Sequence, residues 1–144
     1  MKPIKNRFLF YLLSFTWGLP LTLFGCLVAL FLILIGKRPK KHGYCYYFEI
    51  KNGWGGLEMG IFFLANESPT KSLLNHELGH AMQNCYFGFL MPFIVCIPSA
   101  VRYWVRRKTG LKKRGSNRKE YDSVWFEGTA TRLGNEFIEW FDNK

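Results

Sequence analysis

No charged residue occurs from Phe8 to Gly36, and residues 8–35 (FLFYLLSFTWGLPLTLFGCLVALFLILI) exceed the roughly 20 needed to cross a hydrocarbon core as a helix. Lys2, Lys5 and Arg7 precede this run; Lys37, Arg38, Lys40 and Lys41 follow it. A secretory signal also opens with basic residues before an apolar core. This run is longer than such a core and no A-x-A-like cleavage site follows it, so a retained anchor is expected. Gly18-Leu19-Pro20 interrupts the run near its middle, where proline predicts a kink or break. Two shapes satisfy the pattern: a tilted, kinked membrane helix or a re-entrant hairpin turning at residues 18–20. For a single span, 17 of the 20 basic residues follow it, which places the remainder on the cytoplasmic side.

Farther on the pattern changes. Residues 44–50 (YCYYFEI) and 57–64 (LEMGIFFL) are rich in aromatic and β-branched residues, with Asn52-Gly53 between them, and predict a short β-hairpin. Ser68-Pro69-Thr70 offers helix-start chemistry, with Ser68 or Thr70 as cap, and predicts a helix over about 70–86. Charge is again absent from Ala81 to Val101, where Pro92 and Pro98 favour a bent, membrane-dipping segment over a straight span. A last helix is expected from about Tyr121 to Phe141. The fold class expected is α+β, as an N-terminal anchor over 1–43 and a minimal domain over 44–144. Within that domain, 87–105 dips into the membrane and 106–120 forms a basic loop.

Composition sharpens this reading. A mean hydropathy of -0.04 conceals the segregation of apolar and basic stretches, and 49% apolar residues with 18% aromatics exclude a disordered chain. The net charge is +10, and nine Lys/Arg lie between Arg102 and Lys119. Phosphate binding would suit such a run, but no recognition-helix or stacking motif accompanies it. Anionic lipid headgroups, with Tyr103 and Trp104 as interfacial aromatics, are the expected partner, and nucleic acid is not. Cys26, Cys45, Cys85 and Cys96 form no C-x-x-C pair, which argues for reduced thiols over a zinc knuckle or disulfide framework.

The chemistry concentrates at His76-Glu77-Leu78-Gly79-His80, an H-E-x-x-H pattern. Residues four apart share a helix face, so both imidazoles can reach one Zn2+ ion. Zinc lowers the pKa of a water it holds, and Glu77 beside it can take the proton as that water attacks a carbonyl. Gly79 permits another backbone or a substrate to approach closely. A catalytic zinc takes a third protein ligand, for which Glu120, Asp122, Glu127, Glu136 and Glu139 are candidates. Glu127, in WFEGTATRLG, is favoured because a lone carboxylate among apolar and small residues is costly to bury. Gly128 and Ala130 would let its helix pack tightly on the H-E-L-G-H helix. Glu136, Glu139 and Asp142 read as surface charges, and His42, beside Lys40 and Lys41, as a solvated interfacial residue.

H-E-x-x-H on one helix with a glutamate from a later helix resembles the gluzincin zinc metallopeptidases, and among them the membrane-bound M48 type, whose second motif is E-x-x-A-D. This chain has Glu127-Gly128-Thr129-Ala130-Thr131 there. It is also similar to small bacterial membrane proteins with HE-x-GH, a proline-bearing apolar stretch and E-x-x-A-x-x-L-G. The resemblance covers roughly residues 57–85 and 121–135. It implies His76, His80 and Glu127 as zinc ligands and Glu77 as general base. It also implies a substrate-pairing edge strand at 60–65, including Gly60, Ile61, Phe62 and Phe63. Thr131 replaces the family aspartate that orients a ligand histidine, which removes a charge from that position. For the oxyanion donor, Tyr121, Arg132 and His42 are candidates. Site-2-type intramembrane proteases share H-E-x-x-H, but their L-D-G ligand motif is missing here.

The function expected is a bacterial inner-membrane zinc metallopeptidase with one Zn2+ ion, its site on the cytoplasmic side, cleaving an extended peptide or membrane protein. The rival is a catalytically weak or inactive metal-binding scaffold that holds a partner peptide.

Overall fold

In the computed structural model, which describes residues 1–51, 55–108 and 123–144, the N-terminal apolar run breaks where glycine and proline fall. Helix α1 (Arg7–Phe15) and helix α2 (Leu19–Leu34) meet at 91°. Pro20 lies in the first turn of α2, where its missing N–H leaves no helical bond unmade. The bend is held from outside, since the Asn84 side-chain amide donates to the Gly18 carbonyl at 3.3 Å. Among the described residues no single helix is long and apolar enough to cross a membrane. Two bent pairs are, by length and composition: α1 with α2, and Lys71–Leu90 with Pro92–Val105, bent by 115°.

Strands β1 (Lys40–His42), β2 (Cys45–Ile50), β3 (Gly56–Met59) and β4 (Phe62–Asn66) form one sheet in the order β1-β2-β4-β3. The β2–β4 pair is parallel and the other two pairs are antiparallel. This corrects the expected hairpin between 44–50 and 57–64. Gly60, at a φ of +75°, turns the second run back on itself, so that run makes a hairpin of its own, β3–β4. A second hairpin, β1–β2, turns at Gly43 with a φ of +57°. Alternation had marked which residues are strands but not which strands pair. The expected edge strand is corrected with it: Phe62 and Phe63 lie in β4, an interior strand, Gly60 and Ile61 lie in the turn, and β3 holds the edge.

Helix α3 (Lys71–Phe87) starts at Thr70, whose hydroxyl accepts from the Leu73 amide. Leu74 through Cys85 are all buried, as expected for a helix covered on every side. Helix α5 (Trp125–Asp142) packs along it most extensively. A Cβ on Gly79 would overlap the Ala130 carbonyl, and one on Gly134 the Asn75 carbonyl, so the two backbones touch. Phe10 of α1 sits in the same core as Tyr44, Phe63, Leu78, Met82 and Phe137. Helix α1 therefore shares a core with the sheet, α3 and α5. A 3-10 turn (Gly88–Leu90) and a π-helical turn (Pro92–Cys96) lead from α3 into helix α4 (Ile97–Lys108). Residues 109–120 of the expected basic loop lie outside the described residues.

Candidate metal centre

Helical spacing aims two imidazoles of α3 in one direction, and the first turn of α5 brings the third donor. His76 Nε2 and His80 Nε2 are 3.1 Å apart, and Glu127 Oε2 lies 3.1 Å from the first and 3.3 Å from the second. All three residues are buried, Glu127 completely. This group could hold a metal ion. A carboxylate in a helix's first turn also faces the positive end of the helix dipole.

Each donor is oriented by a second contact. His80 Nδ1 donates to Gln83 Oε1 at 2.8 Å, and the Gln83 amide donates in turn to the Phe126 carbonyl at 2.7 Å. Because Gln83 Oε1 only accepts, Nδ1 carries a proton and Nε2 is the nitrogen that faces the site. His76 Nδ1 is 2.8 Å from the Thr131 hydroxyl. Ser99, in the first turn of α4, donates to Glu127 Oε1 at 2.5 Å. Gln83 was legible in principle, being three residues after His80 on the same helix; Ser99 was not, because a bent segment brings it in from far along the chain.

Without a metal the site is electrostatically coupled. Burial pushes Glu127 up, but hydrogen bonds from His76, His80 and Ser99 outweigh it and hold the carboxyl well below the usual range. Burial lowers His80, yet the hydrogen bond and charge of Glu127, with Glu77 and Glu58 behind it, raise the imidazole to about 9. A proton thus occupies the position a cation would take. Burial raises Glu77, against the pull of both imidazoles.

Glu77 reaches toward the sheet. Its carboxylate fills the place where Gly56 of β3 has no side chain. Two residues along, Glu58 is 7% exposed. Its Oε1 accepts from the Gly60 amide at 2.5 Å, and its Oε2 is buried with no hydrogen-bond partner. Burial pushes this carboxyl up to about 8, against the His80 charge and the Gly60 hydrogen bond and with the Glu77 charge. Glu58 had not been singled out, because nothing local distinguishes it from an ordinary strand glutamate.

Other candidates fall elsewhere. Arg132 is exposed, bonded to Glu136 at 3.0 Å and to the Met1 carbonyl at 2.8 Å, which removes it as an oxyanion donor. His42 is not the solvated residue expected: it is partly buried and bonds Asn75 Oδ1 at 2.9 Å. Glu136 and Glu139 are exposed, and Asp142 pairs with Lys71. Glu120, Tyr121 and Asp122 lie outside the described residues. No family model matches the chain, and neither the curated proteins nor the solved structures contain a match.

Proposed function

We propose that the chain is a membrane-associated zinc metallopeptidase. The observation that carries this reading is the buried triangle of His76, His80 and Glu127 with Glu77 beside it. Donors held by a tetrahedral zinc at its usual bond lengths lie about 3.3 Å apart; the edges here are 3.1, 3.1 and 3.3 Å. Two imidazoles and one carboxylate also match the donor set of a catalytic zinc with a position left for solvent.

When bound, zinc would supply Lewis acidity toward a carbonyl and an acidified water. Every other role belongs to the chain. Thr131 and Gln83 hold the imidazoles in their ligating orientation, and Ser99 fixes the outer oxygen of Glu127. Glu77 takes the proton of the attacking water and hands it to the leaving amine, a task suited to a carboxyl raised by burial. An extended peptide lies along β3, the edge strand whose Gly56 meets Glu77.

Membrane association is supported by the apolar residues that helix α2 exposes, among them Leu23, Leu27, Leu30, Phe31 and Leu34. Phe93, Ile97, Val101, Trp104 and Val105 are exposed as well. Basic flanks at 37–41 and from Arg102 onward suit the anionic headgroups of the cytoplasmic leaflet. Metal analysis and peptide cleavage by the purified full-length protein test the proposal. One zinc per chain is expected, with cleavage abolished by Glu77→Gln while the zinc remains. Unchanged cleavage by that variant rules out the general-base role. Stoichiometric zinc with no cleavage by the wild type favours the scaffold reading, which rests on the uncharged Thr131.

A further inference from the structure

Helix α4 has two unlike faces. Ile97, Val101, Trp104 and Val105 recur at the spacing of one helix face, and each is more than half exposed, as is Phe93 in the π-helical turn before them. At about 3.6 residues per turn, Ser99 falls on the opposite face, from which its hydroxyl donates to Glu127 Oε1 at 2.5 Å. The bend of 115° in this segment brings that face to the metal centre.

The core does not fix this helix in place. Among the described residues, α4 packs extensively only on the π-helical turn it continues, whereas most helices owe their stability to an apolar face packed on a core. What covers the apolar face of α4 follows from its charge. The helix holds Arg102, Arg106, Arg107 and Lys108, no acidic residue, and the aromatics Tyr103 and Trp104. An apolar stripe on a cationic helix suits the interface of an anionic bilayer. Each basic residue near such a surface multiplies partitioning about fivefold.

We propose that α4 binds an anionic bilayer surface, and that seating there holds Ser99 on Glu127, so that lipid tightens the metal centre. The coupling rests on the zinc reading above. Ser99 is a positioning residue: its bond to Oε1 fixes the carboxylate while Oε2 stays 3.1 and 3.3 Å from the two imidazoles. Loss of such a support weakens metal binding about ten- to a hundredfold. Off the bilayer, α4 keeps only the turn as an extensive packing partner, and the bond to Glu127 is weakened with it.

The test is the zinc affinity of the full-length protein in bilayer nanodiscs, of phosphatidylcholine alone or with phosphatidylglycerol added. It is measured by competition against a chromophoric chelator, with empty discs as blanks. Zinc should bind about ten- to a hundredfold more tightly in the anionic discs. Quenching of Trp104 by acyl-brominated lipid, read as the difference from Trp104→Phe, should rise in parallel. Ser99→Ala should show the weaker affinity in both discs and Ser99→Thr should keep the gain, both variants being verified by their thermal transitions. Val101→Asp, on the exposed face, should bind zinc in anionic discs only as the wild type does in neutral ones. Equal wild-type affinity in the two discs overturns the coupling. A gain that survives Ser99→Ala overturns it too, because the surface then merely concentrates the cation. Unquenched Trp104 overturns the bilayer seat and makes a protein the cover of this face. Lipid-dependent zinc affinity in a protein that cleaves nothing upholds the coupling and refutes the peptidase. Cleavage with lipid-independent affinity does the reverse, and absence of zinc binding in both discs overturns both.

Discussion

Replacing Gly79 with alanine places a methyl group where the Ala130 carbonyl oxygen now lies. Carbon–oxygen contacts between helices settle near 3.3–3.6 Å, roughly, so α3 and α5 must part by about 1 Å or more. Alanine improves the helical propensity of the position by about 0.8–1 kcal/mol, while forced overpacking costs about 1–3 kcal/mol. The fold as a whole should therefore lose no more than about 2 kcal/mol, the difference of those two terms. Metal binding is far less tolerant. Gly79 adjoins His80, and Ala130 is one turn from Glu127, so the separation acts directly on an edge of 3.3 Å between their donor atoms. Ligand distances in a metal site hold within about 0.2 Å, several times less than the displacement. Gly79→Ala should thus weaken zinc by about a hundredfold, the upper range for disturbed ligand support, with only a small change in metal-free stability. Competition against a chromophoric chelator, alongside thermal unfolding with and without zinc, measures both quantities. Wild-type zinc affinity in a folded Gly79→Ala protein would refute the claim that backbone contact sets the ligand triangle.

Three further outcomes are expected. Thr131→Val and Gln83→Leu each remove the hydrogen bond that orients a ligand imidazole and should lower zinc affinity by about ten- to a hundredfold; unchanged chelator competition would exclude the orienting role. Gly56→Ala puts a methyl group into the Glu77 carboxylate, a flexible side-chain end that can swing away, so zinc content should persist while peptide cleavage falls at least about tenfold. In the metal-free protein, Glu58 at about 8 and His80 at about 9 both lie above their ordinary values of 4.5 and 6.5. The folded state holds the extra protons, so these stabilising contributions are full below the ordinary values. Glu58's contribution is lost as pH rises from about 4.5 to 8, and that of His80 from about 6.5 to 9. Glu58→Gln should flatten the first fall, worth up to about 1.4 kcal/mol per pH unit, in denaturant titrations across that range. An unchanged slope would show that Glu58 does not titrate there.

Local chemistry was readable along the chain. The Thr70 cap, the four-residue spacing of His76 and His80, and the break at Gly18–Pro20 depend on neighbours within a turn or two, and each appears in the structure where the sequence places it. Glu127 was also legible, because an isolated carboxylate among apolar residues implies a partner, and α5 does bring it to both imidazoles. Strand pairing was not. The same alternation suits β2 whether its neighbour is β3 or β4, and the pairing was decided by the turn at Gly60 and by the burial of Phe48 and Phe63. Gln83, Ser99 and Glu58 gained their places from elements that meet only in the folded chain. By itself the sequence determined which side chains can do the chemistry, since helix periodicity and desolvation cost act on single segments. Only the tertiary structure decided which of them stand within 3.3 Å of one another, because contact between distant segments is set by packing of the whole core.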